Sequence, residues 1–330
     1  MTSFTMPEIA FRRGRILVND RDMTMVAILL LVLIALAIAA DPLTNHVFYS
    51  AGNLTNMMRQ WPSYGYGLIA VGMLFVILTG GIDLSVGSVL CFAGLVSAGC
   101  SLWWGLPIWL CMFLGIGTGV AWGAVNGFLV SRFQLAPFVV TLATMTTIRG
   151  LCYVWSPIAL RPSDPGFTRV TSQLIGPFPP AFLVLVAFLI IATVFFNRTP
   201  LGRSTIAIGG NRETVRLAGI SVKRGLMTAY MISGFCAGTA GVLIASRSGQ
   251  IQPLQGAAFE LDAIAACVIG GASLAGGKGT IRGTIIGMVI LVLLNNILSL
   301  RNVQSFWQQV FKGLIIIVVI LIQSRSQKKD

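Results

Sequence analysis

Only ten acidic residues occur among 330, and three of them interrupt apolar sequence. Asp83 lies in LTGGIDLSVGSV, residues 78–89, and Glu260 and Asp262 lie in AAFELDAIAACVIGG, residues 257–271. A carboxylate in or near hydrocarbon needs a polar partner or a water-lined cavity, so each of these braces backbone, meets a solute, or holds a proton or cation. Around Asp83, Gly80 and Gly81 free the chain to unwind, and Ser85 is placed to cap a new helix. Bracing of a helix break and direct contact with a solute both stay open for it. Glu260 and Asp262 open a short apolar segment that ends at Gly270 and Gly271, too few residues to cross a bilayer comfortably. Such interrupted segments mark binding or gating regions in transporters, although acids at a helix start also complement its dipole.

Further polar groups stand inside apolar segments: Asn126, Arg149, Asn295, Asn296, Gln308 and Gln309. Singly, each suits hydrogen bonding between helices. Together with Phe306 and Trp307 they suit a polar route with aromatic surfaces. A sugar fits such a lining because its hydroxyls pair with amides and carboxylates while its C–H faces stack on rings; other small polar solutes fit it as well. The candidate translocation path is therefore Asp83, Asn126, Arg149, Phe259, Glu260, Asp262, Asn295, Asn296, Trp307 and Gln308.

Other chemistries find little support. His46 is the single histidine, and the six cysteines (Cys91, Cys100, Cys111, Cys152, Cys236, Cys267) are scattered singly through apolar sequence with no CxxC pair, as expected of buried small hydrophobes. No nucleophile or cofactor motif accompanies the carboxylates, so no catalytic, cofactor or metal residue is assigned and the chain reads as a non-enzyme. The tract GGKGT resembles a phosphate loop only superficially: Lys278 is followed by Gly279, and the position six before it is Ala272 rather than glycine. The net charge of +13 could point to nucleic acid, but the basic residues fall between apolar runs, which favours anionic membrane lipids and protein partners at one membrane face.

The elements that must position these residues are membrane helices. The chain is 55% hydrophobic and 10% charged with a mean hydropathy of +0.85, far from a soluble domain. About 20 apolar residues cross the hydrocarbon core as a helix, and ten such spans are expected: 23–40, 62–79, 85–101, 107–130, 137–155, 180–196, 226–246, 262–276, 281–299 and 305–322. Arg12, Arg13 and Arg15 precede the first run as in a signal peptide, but that run is long and the following DPLTNH is no cleavage site, so a retained span is expected. The fold class is thus an all-α integral membrane protein of about ten helices, some short or broken. An even count puts both termini on one side. Sixteen Lys and Arg fall on that side and five on the other, so both termini are expected in the cytoplasm. The organisation is a basic tail over 1–22, one membrane domain over 23–323, and a second basic tail over 324–330.

The segment 197–225 is the only long loop expected on the inner side. Asn211 is placed to cap a short basic helix with Glu213 in its first turn and Gly219 at its end. A charged loop that merely fixes topology is the plain alternative; a docking helix is favoured because Val215 and Leu217 beside the charges are expected to face outward and to need a partner surface.

GGIDLSVGS, RLAGISVKR after GGN, FELDAIAACVIGGASLAGGKGTIRGT, LNNILSL and FWQQVFKGLIIIVVIL occur in that order over most of the chain. Together they resemble the membrane subunit of bacterial ATP-binding-cassette importers for simple sugars, of the ribose permease type. The resemblance implies a permease in the bacterial plasma (inner) membrane that pairs with a second permease subunit, identical or related. It also implies cytoplasmic ATPases that carry ATP and Mg, and an extracytoplasmic sugar-binding protein. The family's coupling segment corresponds to 209–224, with Gly210, Asn211, Arg212, Glu213, Arg216, Leu217, Gly219 and Ile220 as its contact residues. This chain departs from the pattern at Phe259, where relatives commonly carry tyrosine. An ion-gradient-driven transporter using Asp83, Glu260 or Asp262 is the alternative.

Overall fold

The structure is a computed structural model that describes residues 20–327; the tail through residue 19 and the last three residues lie outside it. Among the described residues it is helical, with only two isolated bridges, Leu160 to Ile251 and Ile175 to Phe178. The helices are α1 (Asp20–Leu43), α2 (Ala51–Gln60), α3 (Ala70–Leu78), α4 (Val86–Trp104), α5 (Ile108–Phe133), α6 (Pro137–Trp155) and α7 (Gly166–Ser172). They continue with α8 (Pro180–Arg198), α9 (Pro200–Gly210), α10 (Arg212–Leu217), α11 (Val222–Ser248), α12 (Phe259–Ile269), α13 (Ile281–Leu300) and α14 (Ser305–Gln327).

Six of the ten expected spans form single helices long and apolar enough to cross a membrane: α4, α5, α6, α8, α11 and α13. The expected first and last spans fall within α1 and α14. The span expected at 62–79 is instead a bent pair, 51–63 and 66–78, meeting at 62°. Pro62 and the non-helical Gly67 (φ −100°, ψ −125°) explain the bend, because a Cβ at Gly67 would collide with the Trp61 carbonyl. The span expected at 262–276 shrinks to the 11 residues of α12, about 16 Å at 1.5 Å per residue and half the hydrocarbon thickness. It stops where Gly271 takes φ +88°.

α4 and α11 form the centre of the bundle, with 78% and 72% of their apolar windows buried against 22–28% for α5, α6 and α8. Their composition allows this: α11 meets α5 glycine to glycine, and a Cβ at Gly234 would collide with the Gly119 carbonyl. In lipid the apolar surroundings give helices no reason to associate, so such close backbone approach supplies the dispersion contacts that hold the pair. α3 is buried along its whole length. The six cysteines are free and buried.

Candidate functional site

The break between α3 and α4 is closed by a polar knot. Gly80 takes φ +78°, and the chain turns back so that Asp83, 2% exposed, reaches three donors. Asp83 Oδ1 accepts from the Ser85 backbone N at 3.0 Å and from Ser85 Oγ at 2.6 Å, and Oδ2 accepts from Ser233 Oγ of α11 at 2.8 Å. Asn126 of α5 donates to Ser85 Oγ at 2.8 Å. Ser85 therefore does not cap α4 with its side chain; it links Asp83 to Asn126. This network joins the α3–α4 break to α5 and α11.

A second assembly sits where the loop between α8 and α11 meets the bundle. Asn211 Oδ1 accepts from the backbone N of Glu213 and Thr214, both at 3.0 Å, and Gly219 follows α10 with φ +76°. Sequence reasoning missed α9, whose three glycines and proline read as loop; Thr199 caps it by accepting from Gly202 N at 3.1 Å. Val215 faces inward, 6% exposed, contrary to expectation, whereas Leu217 is 79% exposed and Ile220 is also exposed. A six-residue helix must seat one apolar side chain to hold its place, and Val215 fills that role. Arg216 pairs with Glu213 at 2.7 Å on the open surface, and Gly210, at the end of α9, sets its backbone against Gly277 while a Cβ there would meet open space.

This unit touches both interrupted helices. Gly277, in the loop after α12, donates its backbone N to Leu78 O at the end of α3, 3.0 Å. A Cβ at Gly209 would collide with that same Leu78 carbonyl and crowd Gly277 N. Arg212 donates to Thr79 O at 3.3 Å. Three backbones thus meet at one point: the end of α3, the loop after α12, and the α9–α10 joint.

At the opposite ends of α3 and α12 the polar groups differ. A cavity of about 280 Å³ is bounded by α2, the bend after it, α13 and α14, and is lined among others by Asn53, Asn56, Gln60, Trp61, Tyr64, Tyr66, Asn295, Asn296 and Gln308. Tyr64 stacks between Tyr66 and Phe259 with centroids at 5.3 and 5.5 Å. Arg247 lies 5.5 Å over the Tyr64 ring and Lys312 lies 5.8 Å over that of Tyr66. Lys312 also pairs with the buried Asp262 at 2.9 Å.

The candidate path residues therefore separate. Asn295, Asn296 and Gln308 meet in the cavity, and Phe259 and Asp262 stand just behind its aromatic wall. Asp83 and Asn126 belong to the knot. Arg149 donates to Pro253 O and Gln255 O at 2.8 and 3.0 Å, bracing the loop before α12. Glu260 packs beside Gly87 in the first turn of α4, where the helix dipole favours negative charge. Trp307 is 59% exposed and its ring lies tilted against that of Phe311, centroids 6.4 Å apart. Sequence reasoning missed Asn53, Asn56 and Gln60, which repeat at helical spacing and form a polar stripe on α2 just ahead of an expected span. Among the described residues no cluster of three or more His, Cys, Asp or Glu could hold a metal.

A bundle of helices long and apolar enough to cross a membrane, with one bent pair and one short helix beside a polar cavity, is the architecture of a transport permease. Residues 56–320 match the family described as branched-chain amino acid transport system / permease component, and the chain belongs to that family. It is 41% identical to the ribose import permease protein of Bacillus subtilis (strain 168) over 288 residues, 86% of this chain and 88% of the relative. It is 38% identical over 317 residues to the ribose import permease protein of Haemophilus influenzae, 94% of each chain. It is 33% identical over 349 aligned positions to the xylose transport system permease protein of Escherichia coli (strain K12), 87% of this chain and 88% of the relative. No solved structure matches.

Proposed function

We propose that this chain is the membrane subunit of an ATP-binding-cassette importer that carries a monosaccharide, ribose or a similar aldose, across the bacterial inner membrane with both termini in the cytoplasm. Its partners are a second permease subunit, cytoplasmic ATPases that bind ATP and Mg, and an external sugar-binding protein. The supporting names are those of the ribose and xylose permeases. The single observation that carries the mechanism is the three-backbone junction of Gly209, Leu78 and Gly277.

Nucleotide binding closes the ATPases against α10 and the turn after it, where Leu217 and Ile220 offer apolar contact and Val215 anchors the helix inward. Without flexible side chains between the three backbones, displacement of α10 passes directly to α3 and to the loop after α12. Their far ends carry the bend and the aromatic wall of the cavity. Rigid motion of this kind opens the path to one side at a time. Because hydrolysis supplies the drive, substrate affinity need not differ greatly between the two states.

The gradient-driven alternative loses support from the relatives' names and from the side chains, since Asp83 is engaged by three donors and Asp262 by Lys312. The test is Arg212→Glu with Arg216→Glu in the assembled transporter. Membrane insertion and ATP hydrolysis are expected to persist while uptake is lost. Normal coupling in that variant removes the docking role, and uptake persisting without the ATPase returns the alternative.

A further inference from the structure

We infer that the cavity between α2, the bend at residues 61–69, α13 and α14 is a binding station for one neutral polyhydroxylated solute within a single protomer, and that its lining rejects amino-acid zwitterions. This rests on the importer reading above and assigns it a place and a selectivity.

The amides of the lining are held from behind. Asn295 donates to Leu291 O at 2.9 Å and Gln308 to Val303 O at 2.8 Å. Asn53 and Asn296 exchange hydrogen bonds at 3.0 and 2.8 Å, and Asn53 donates again to Phe48 O at 2.8 Å. Since a primary amide offers two N–H donors and a carbonyl with two lone pairs, Asn295 and Gln308 each retain a donor and an acceptor after these bonds. Orientation is therefore fixed before a ligand arrives, which lowers the ordering cost of binding. Tyr66 is 4% exposed, yet it belongs to the lining, and a tyrosine hydroxyl both donates and accepts. Trp61 supplies a ring surface for a C–H face, while both faces of Tyr64 are taken by Tyr66 and Phe259. Mixed donors and acceptors beside rings match a sugar.

The charge argument decides against an amino acid. No acidic or basic side chain lines the cavity. Of the cations nearby, Lys312 is paired with Asp262, and Arg247 lies over the Tyr64 ring, outside the lining, with its Nε buried and without a hydrogen-bond partner. A zwitterion would leave both an ammonium and a carboxylate without countercharge, at a desolvation penalty far above that of a hydroxyl that finds partners. The volume of about 280 Å³ lies near the lower bound of small-molecule pockets, about 300 Å³, as suits a solute of monosaccharide size.

The experiment is uptake of radiolabelled D-ribose, D-xylose and L-leucine by cells that express the full chain with its transport partners, with membrane levels of the chain measured in parallel. Wild type, Tyr66→Phe, Gln308→Leu and Asn295→Asp are compared. Tyr66→Phe keeps the stacked ring and removes one hydroxyl, so it holds the test if a bolder variant fails to insert. Because the external binding protein captures the free sugar, loss of one ligand hydrogen bond in the permease is expected to lower the maximal rate of sugar uptake by about tenfold at equal membrane level, and wild type is expected to leave leucine outside. A wild-type maximal rate of sugar uptake in both Tyr66→Phe and Gln308→Leu overturns the site and leaves the importer reading standing. Wild-type uptake of leucine in place of either sugar overturns both.

Discussion

Asp83 shows how a buried charge is made tolerable in a membrane bundle. Three donors, two from Ser85 and one from Ser233, surround its carboxylate, so removing it strands hydroxyls on two helices. Asp83→Ala is expected to lower stability by about 1–3 kcal/mol, seen as a reduced Tm of the purified protein in detergent. Asp83→Asn retains one carbonyl acceptor for Ser85 and presents an amide that Ser233 Oγ can accept, so it is expected to lose less. Equal Tm values for the two variants would show that the charge, rather than hydrogen-bond count, matters. The sequence marks this residue plainly, since a carboxylate flanked by GG and LS in apolar surroundings demands partners. Its distant connections were not legible: Ser233, which it meets directly, and Asn126, which it meets through Ser85, lie 150 and 43 positions away, and local spacing carries no information about which helices will touch. The capping of α10 by Asn211 was legible because its donors stand only two and three residues on.

Among elements, the short α12 depends on an ion pair at its first turn. Asp262 and Lys312 are both largely buried, with side chains 8% and 23% exposed. Breaking one side of such a pair leaves an uncompensated charge, at a typical cost of about 3–5 kcal/mol. Lys312→Met alone is therefore expected to depress Tm strongly, and Lys312→Met with Asp262→Leu to recover much of the loss; a double variant no better than the single one would show the pair to be uninvolved. At the other junction, Gly209→Val would drive a side chain into the Leu78 carbonyl. ATP hydrolysis uncoupled from uptake is the expected outcome, measured in the assembled transporter. Full spans such as α5 and α8 were legible because hydropathy reports contact with lipid. The interruptions were less so, since α3 is buried by protein on all sides and reads as apolar whether or not it reaches a membrane surface. α9 was hidden because Gly202 and Gly209 serve close backbone approach there and resemble loop residues in composition.

At the scale of the whole molecule, central α4 and α11 are wrapped by helices with exposed apolar faces, including Trp109, Phe113, Ile190 and Ile191. Lipid and a second permease subunit are the surroundings proposed for these faces. The orientation inferred from basic residues has a direct check. Because the six native cysteines are buried, a single Leu217→Cys change adds an exposed thiol on α10. It is expected to react with a membrane-impermeant maleimide only in inverted vesicles; labelling in right-side-out cells would reverse the topology. The cavity itself could not be read from the sequence, because Asn53 and Asn296 are 243 positions apart and only the packing of α2 on α13 makes them neighbours. Its uncharged lining also bears on energetics. Moving one elementary charge through the membrane field involves about 2.3 kcal/mol per 100 mV, and a neutral cargo held by neutral amides involves none of it. Uptake through this protein should then proceed at the same rate whether the voltage across the bilayer is clamped at zero or at its resting value.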